Sequence, residues 1–98
     1  MTTLPTEVDA ETFGAQLVDE RLAACVNILP PTRSVYRWKG SVERADERQL
    51  VIKTTTPRIA ALEARFRALH PYDLPEFVVI PIVQGSAGYL AWLTESTK

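Results

Sequence analysis

Two long stretches of β-favouring residues, 23–38 and 42–54, meet at Lys39-Gly40-Ser41, and each is flanked on its far side by a segment of helical periodicity. No other feature restricts the possible folds as much. Glycine accepts positive φ at little steric cost, so the tripeptide reads as a hairpin turn. The first stretch runs Ala-Ala-Cys-Val-Asn-Ile-Leu from Ala23, bends at Pro30 and Pro31, and resumes with Val35, Tyr36 and Trp38. The second returns from Val42 to Thr54 with Leu50-Val51-Ile52 as its apolar centre.

Upstream, Met1 to Leu4 is a short β-like stub that stops at Pro5. Thr6 then caps a helix, with Asp9 three residues on and Ala10, Phe13, Leu17 and Leu22 as its inward stripe. Downstream, Thr56-Pro57 reads as a cap followed by proline at the first helical position. Ile59, Leu62, Phe66 and Leu69 follow at helical spacing, and His70-Pro71 closes the helix, because a residue before proline is pushed out of the α region. A loop with Pro71 and Pro75 leads to an apolar strand, Phe77–Val83. Gly85-Ser86 breaks that strand, and Ser86 caps a last helix carrying Tyr89, Leu90, Trp92 and Leu93. The order is β-α-β-β-α-β plus a C-terminal helix, which specifies an α+β, ferredoxin-like sandwich with two helices on one face of four strands. With 98 residues and no linker or repeat, the chain is a single domain over 1–98.

The last strand points Phe77, Val79, Pro81 and Val83 one way and Val78, Ile80 and Ile82 the other. Both faces are apolar, yet two helices cover one. A second copy of the chain is the simplest cover for the other, so an oligomer is expected. The 11 basic and 12 acidic residues are interspersed, for a net charge of −1, which supplies no footprint for nucleic acid or an anionic membrane. The longest apolar run, Phe77–Val83, is far short of the roughly 20 residues of a spanning helix. The N-terminus lacks the basic and apolar regions of a secretory signal, and one cysteine removes any disulfide argument for secretion. A cytoplasmic protein is expected.

Five segments carry a resemblance. Glu20 to Ile28 resembles the helix-to-strand junction of the CutA family, and Ser34 to Gly40 resembles its S-x-Y-x-W-x-G hairpin. Lys53-Thr54-Thr55 is similar to its K-T-T strand end, His70 to Glu76 to its H-P-Y-x-x-P-E loop, and Gly88 to Leu93 to its closing helix. The resemblance implies a PII-like homotrimer built through sheet edges and faces, and a link to copper and other divalent cations. Two departures accompany it. Relatives have several more residues before the position of Met1, and some carry a first-strand cysteine and a second histidine where Thr2 and Leu69 stand here.

The candidate metal ligands are His70, Cys25 and Glu76. Cys25 offers a soft thiolate for Cu(I) or Zn, or else a small buried hydrophobe. His70, the sole histidine, offers an imidazole for Cu, Zn or Ni, or else caps the preceding helix. One histidine builds no tetrahedral site alone. It needs copies from other subunits, or the nearby Glu76 or Asp73. Tyr72, Asp73 and Glu76, between Pro71 and Pro75, form a stiff cleft wall or a solvated connection. Tyr36, Trp38 and Trp92 line a pocket or pack across an interface. Lys53, Arg33 and Arg37 would serve a different function, a PII-like sensor holding a small anion between subunits. No catalytic motif appears: there is no G-x-S-x-G, no phosphate-cradling glycine loop and no CxxC. The expected function is therefore non-enzymatic, a trimer that binds copper or another divalent cation.

Overall fold

The computed structural model describes residues 1–98. Three antiparallel strands, β1 (Thr2–Pro5), β2 (Cys25–Trp38) and β3 (Ser41–Lys53), form a sheet in the order β1-β3-β2. The hairpin turn is tighter than the sequence suggests. Trp38 pairs with Ser41, so only Lys39 (φ 49°) and Gly40 (φ 81°) lie outside the ladder. Positive φ at both positions is the type I′ geometry, whose twist matches that of the flanking strands.

The bend expected at Pro30-Pro31 is a β-bulge. Ile28 faces Leu50 and Pro31 faces Arg48, so two residues of β2 oppose one of β3. The extra residue inverts the alternation. Before it, Val26 and Ile28 share a face with Ile52 and Leu50; after it, Ser34, Tyr36 and Trp38 share the opposite face with Glu47, and with Thr3 of β1. Without the bulge, both aromatic rings would point to the helix side.

Helix α1 (Ala10–Asp19) begins later than the sequence suggests. Thr6 extends the ladder by donating to the Asp46 carbonyl, and Val8 N–H closes a turn on the Pro5 carbonyl at 3.0 Å. Asp9 is the cap, because its carboxylate takes both the N–H (3.1 Å) and the hydroxyl (2.8 Å) of Thr12. The helix stops before Leu22, at Arg21 (φ 60°). Arg21 N–H reaches the Val18 carbonyl and Leu22 N–H the Leu17 carbonyl, a Schellman closure with arginine in the usual glycine position. A 3₁₀ turn over Thr56–Arg58 leads into α2 (Ile59–Leu69), so Thr55 rather than Thr56 precedes the first turn. Helix α3 (Ala87–Ser96) starts after Ser86 as expected, although the serine side chain makes no capping bond.

Helices α1 and α2 pack on the Leu50 face of the sheet. Leu4, Phe13, Leu17, Leu50, Leu62 and Phe66 form the centre of the core, with Phe13 edge-on to Phe66 at 6.2 Å. Phe77 closes one end against Phe66 at 5.2 Å.

The fourth strand expected over Phe77–Val83 does not form a ladder. One reciprocal pair joins it to β1: the Met1 ammonium donates to the Val78 carbonyl (2.8 Å), and Val78 N–H donates to the Met1 carbonyl (3.1 Å). Pairing ends there because residues 79–83 run past Met1 and meet no further backbone. Val79, Ile80, Ile82 and Val83 are exposed, Val83 to 89%. The architecture is therefore α+β, with a three-stranded sheet and an apolar segment along its β1 edge.

Candidate functional site

On the sheet face opposite the core, a cleft of about 500 Å³ lies between the hairpin and the loop after α2. Thr3, Ser34, Tyr36, Trp38 and Glu47 form its floor. Pro71, Tyr72, Asp73, Leu74 and Glu76 form its wall. The bulge in β2 brings the aromatic residues here, and His70 holds the wall in place.

His70 is the C-cap of α2 and is 8% exposed. Its Nε2 lies 2.7 Å from the Thr3 carbonyl, and its Nδ1 lies 3.1 Å from the Tyr72 backbone N–H. A carbonyl only accepts and a backbone N–H only donates, so Nε2 carries the proton and Nδ1 the lone pair. Both nitrogens of this neutral ring are occupied, and the ring packs between Phe66 (5.0 Å) and Tyr72 (4.8 Å). His70 thus ties the loop to β1 and has no nitrogen free to ligate.

The next link is Tyr72, whose hydroxyl donates to Glu47 Oε2 at 3.0 Å. Burial, then the bond to the Glu47 carboxylate and its charge, push the phenol up to about 12. Glu47 is only 6% exposed, and it shares the cleft with Asp73 and Glu76. No lysine or arginine lines this cleft. Its field is negative, which favours cations and disfavours anions.

The residues singled out in the sequence are distributed rather than gathered. Glu76 lines the cleft and faces the Met1 ammonium; burial lowers that amine's pKa, and the charge of Glu76 opposes the shift. Cys25 is half-buried and pairs with Lys53, while Thr3, the partner of His70, pairs with Gln49. Four positions along β3 separate these rows, roughly 13 Å. No group of three His, Cys, Asp or Glu side chains comes close enough to hold one ion. Arg33 pairs with Asp46 (3.4 Å), and Arg37 donates to the Gly40 carbonyl. Lys53 lies in a separate hollow under α3, 6.0 Å from the Tyr89 ring. Trp92 stacks near Tyr89 (5.5 Å), away from the cleft. Glu47 was missed, since nothing in Arg44-Ala45-Asp46-Glu47-Arg48 distinguishes one acid from its neighbour.

Residues 1–96 match the family described as CutA1 divalent ion tolerance protein. The chain belongs to the CutA family. It is 50% identical over 95 residues to the divalent-cation tolerance protein CutA of Thermus thermophilus, spanning 97% of this chain and 92% of that one. It is 38% identical over 96 residues to human protein CutA, of which it spans 54%. A solved CutA structure from Thermus thermophilus superposes with a TM-score of 0.94 at 49% identity, covering 99% of this chain and 94% of that one. A Nostoc structure described as a PII-like CutA protein superposes at 0.91 with 39% identity, covering 99% and 93%. A structure from Archaeoglobus fulgidus, described as periplasmic, superposes at 0.93 with 34% identity, covering 99% and 94%. No helix of this CutA chain is long and apolar enough to cross a membrane.

Proposed function

We propose that the chain acts as a cytoplasmic homotrimer in divalent-cation tolerance and weakly binds copper or another divalent ion in the acid-lined cleft. The observation that carries this is the acidic lining of one cleft, Glu47, Asp73 and Glu76 with no basic residue. Such a lining attracts a divalent ion that keeps its water shell, because the three carboxylates are too far apart to ligate it together. Oxygen donors suit hard or borderline divalent ions, whereas soft Cu(I) would find only the distant Cys25 thiolate. The family descriptions, which name divalent-cation tolerance, support the same reading.

The trimer is supported by apolar surface that one chain leaves open. Val35 and Val42 lie on the hairpin face away from the cleft, and Ile80, Ile82 and Val83 lie exposed beyond the Met1–Val78 pair. Covering these with neighbouring copies would pair residues 79–83 and complete the four-stranded ferredoxin-like sheet. We read the molecule as a binding protein rather than an enzyme, because its sole histidine has both nitrogens engaged and is no free base. An anion in the cleft is disfavoured by its charge.

Calorimetric titration of Mn²⁺ and of Cu²⁺ tests the reading. Glu47→Gln with Glu76→Gln is expected to weaken saturable binding at least about tenfold, since affinity for such ions follows ligand charge. His70→Asn, which removes the ring but leaves the three carboxylates, is expected to weaken it less than that double change. No saturable binding would overturn the proposal, as would complete loss with His70→Asn in a protein whose Tyr72 and Trp38 resonances show the cleft intact.

A further inference from the structure

We propose that the same cleft also accepts a small organic cation, an alkylammonium or quaternary ammonium group, seated among the rings of Tyr36, Trp38 and Tyr72. This rests on the cleft being a cation site and goes beyond it in the class of cation. The argument begins with how the rings come together. The bulge in β2 turns Tyr36 and Trp38 onto the Glu47 face, and His70 holds Tyr72 opposite them. In the single chain Tyr36 and Trp38 remain 42% and 39% exposed there, so their rings are not used up in its core. Aromatic faces attract cations within about 6 Å, as the Lys39 ammonium 5.8 Å from the Trp38 ring shows, and a ligand on that face would displace the flexible lysine side chain.

Charge and size point the same way. Glu47, Asp73 and Glu76 surround the cleft but are too dispersed to grip one small ion together. A bare metal ion needs several oxygens at fixed short distances. An ammonium clothed in alkyl groups spreads its charge over several ångströms and needs only a negative wall and apolar contact. Glu47 suits that task. One carboxylate oxygen takes the Tyr72 hydroxyl, while the other makes no hydrogen bond in the chain. A cleft of about 500 Å³ is ordinary for a small molecule and far larger than a lone ion requires.

The test titrates tetramethylammonium chloride into the full assembled protein, with sodium chloride at equal ionic strength and tert-butanol, a neutral analogue of similar shape, as controls. Side-chain resonances of Tyr36, Trp38 and Tyr72 are followed, and Mn²⁺ is added to a parallel sample. Saturable shifts with tetramethylammonium alone are expected, weakened roughly tenfold by Trp38→Leu and by the shape-preserving Glu47→Gln. Equal response to tert-butanol, or no saturable response to tetramethylammonium, overturns the proposal. If Mn²⁺ broadens the cleft signals while tetramethylammonium leaves them unchanged, this inference falls and the metal reading survives. Tetramethylammonium binding without any Mn²⁺ effect supports this inference and removes the metal reading.

Discussion

The imidazole of His70 donates a hydrogen bond to one backbone carbonyl and accepts another from a backbone N–H, both within a mostly buried contact. His70→Ala leaves Thr3 and Tyr72 to find other partners and opens space beside Phe66. The expected loss is about 2 kcal/mol in urea denaturation, from stranded polar groups. Tyr72 makes a separate prediction in alkali. Its folded pKa lies near 12 against an ordinary value of 10, so its stabilising contribution is complete below pH 10. That contribution disappears as the pH rises from 10 through about 12, when a phenolate would face Glu47. Tyr72→Phe is expected to flatten this part of the stability profile and to remove the latest phase of tyrosinate absorbance. The sequence placed His70 and Tyr72 correctly in one loop after a helix. Their partners were not legible, because Thr3 and Glu47 come from strands 67 and 25 positions away in the chain. Only the folded sheet brings those strands alongside the loop.

The sequence points to Thr6 as the cap of helix α1, with Asp9 as its partner in a capping box. Asp9 itself takes the role, because the turn at 5–8 uses the backbone around Thr6. Asp9→Ala is therefore expected to lower the melting temperature in thermal unfolding, while Thr6→Ala lowers it much less. The two Thr12 bonds lower the Asp9 pKa. The contribution of the cap is accordingly present above the ordinary carboxylate range and fades as pH falls through the lowered value. The other elements divide along a similar line. The turn, the end of α2 and the core stripe Leu62–Phe66 follow from local chemistry and were legible. The bulge was legible as a bend, because prolines advertise one, but its register and the resulting inversion of faces are properties of the pair of strands. Residues 77–83 carry a strand's composition, yet a strand exists only where a neighbour runs beside it, and β1 reaches just Val78.

At the scale of the molecule, the isolated chain measures 45 × 25 × 24 Å, and much of its apolar surface lies on the hairpin and on residues 78–83. Surface of that kind is expected to be covered by association. Light scattering should report a trimer at micromolar concentration, and Ile80→Glu with Val83→Lys should shift it toward monomer without unfolding the core of a single chain. A monomer in the unsubstituted protein would remove the basis for the assembly. Growth without end is the hazard of such a surface, and β2 occupies the outer edge of the sheet. Pro30 and Pro31 interrupt that edge halfway along, and neither carries a backbone N–H. A newcomer can therefore dock along only half of β2 before its hydrogen bonding fails. The consequence is an edge that accepts a neighbour over a limited length, which opposes open-ended addition of strands.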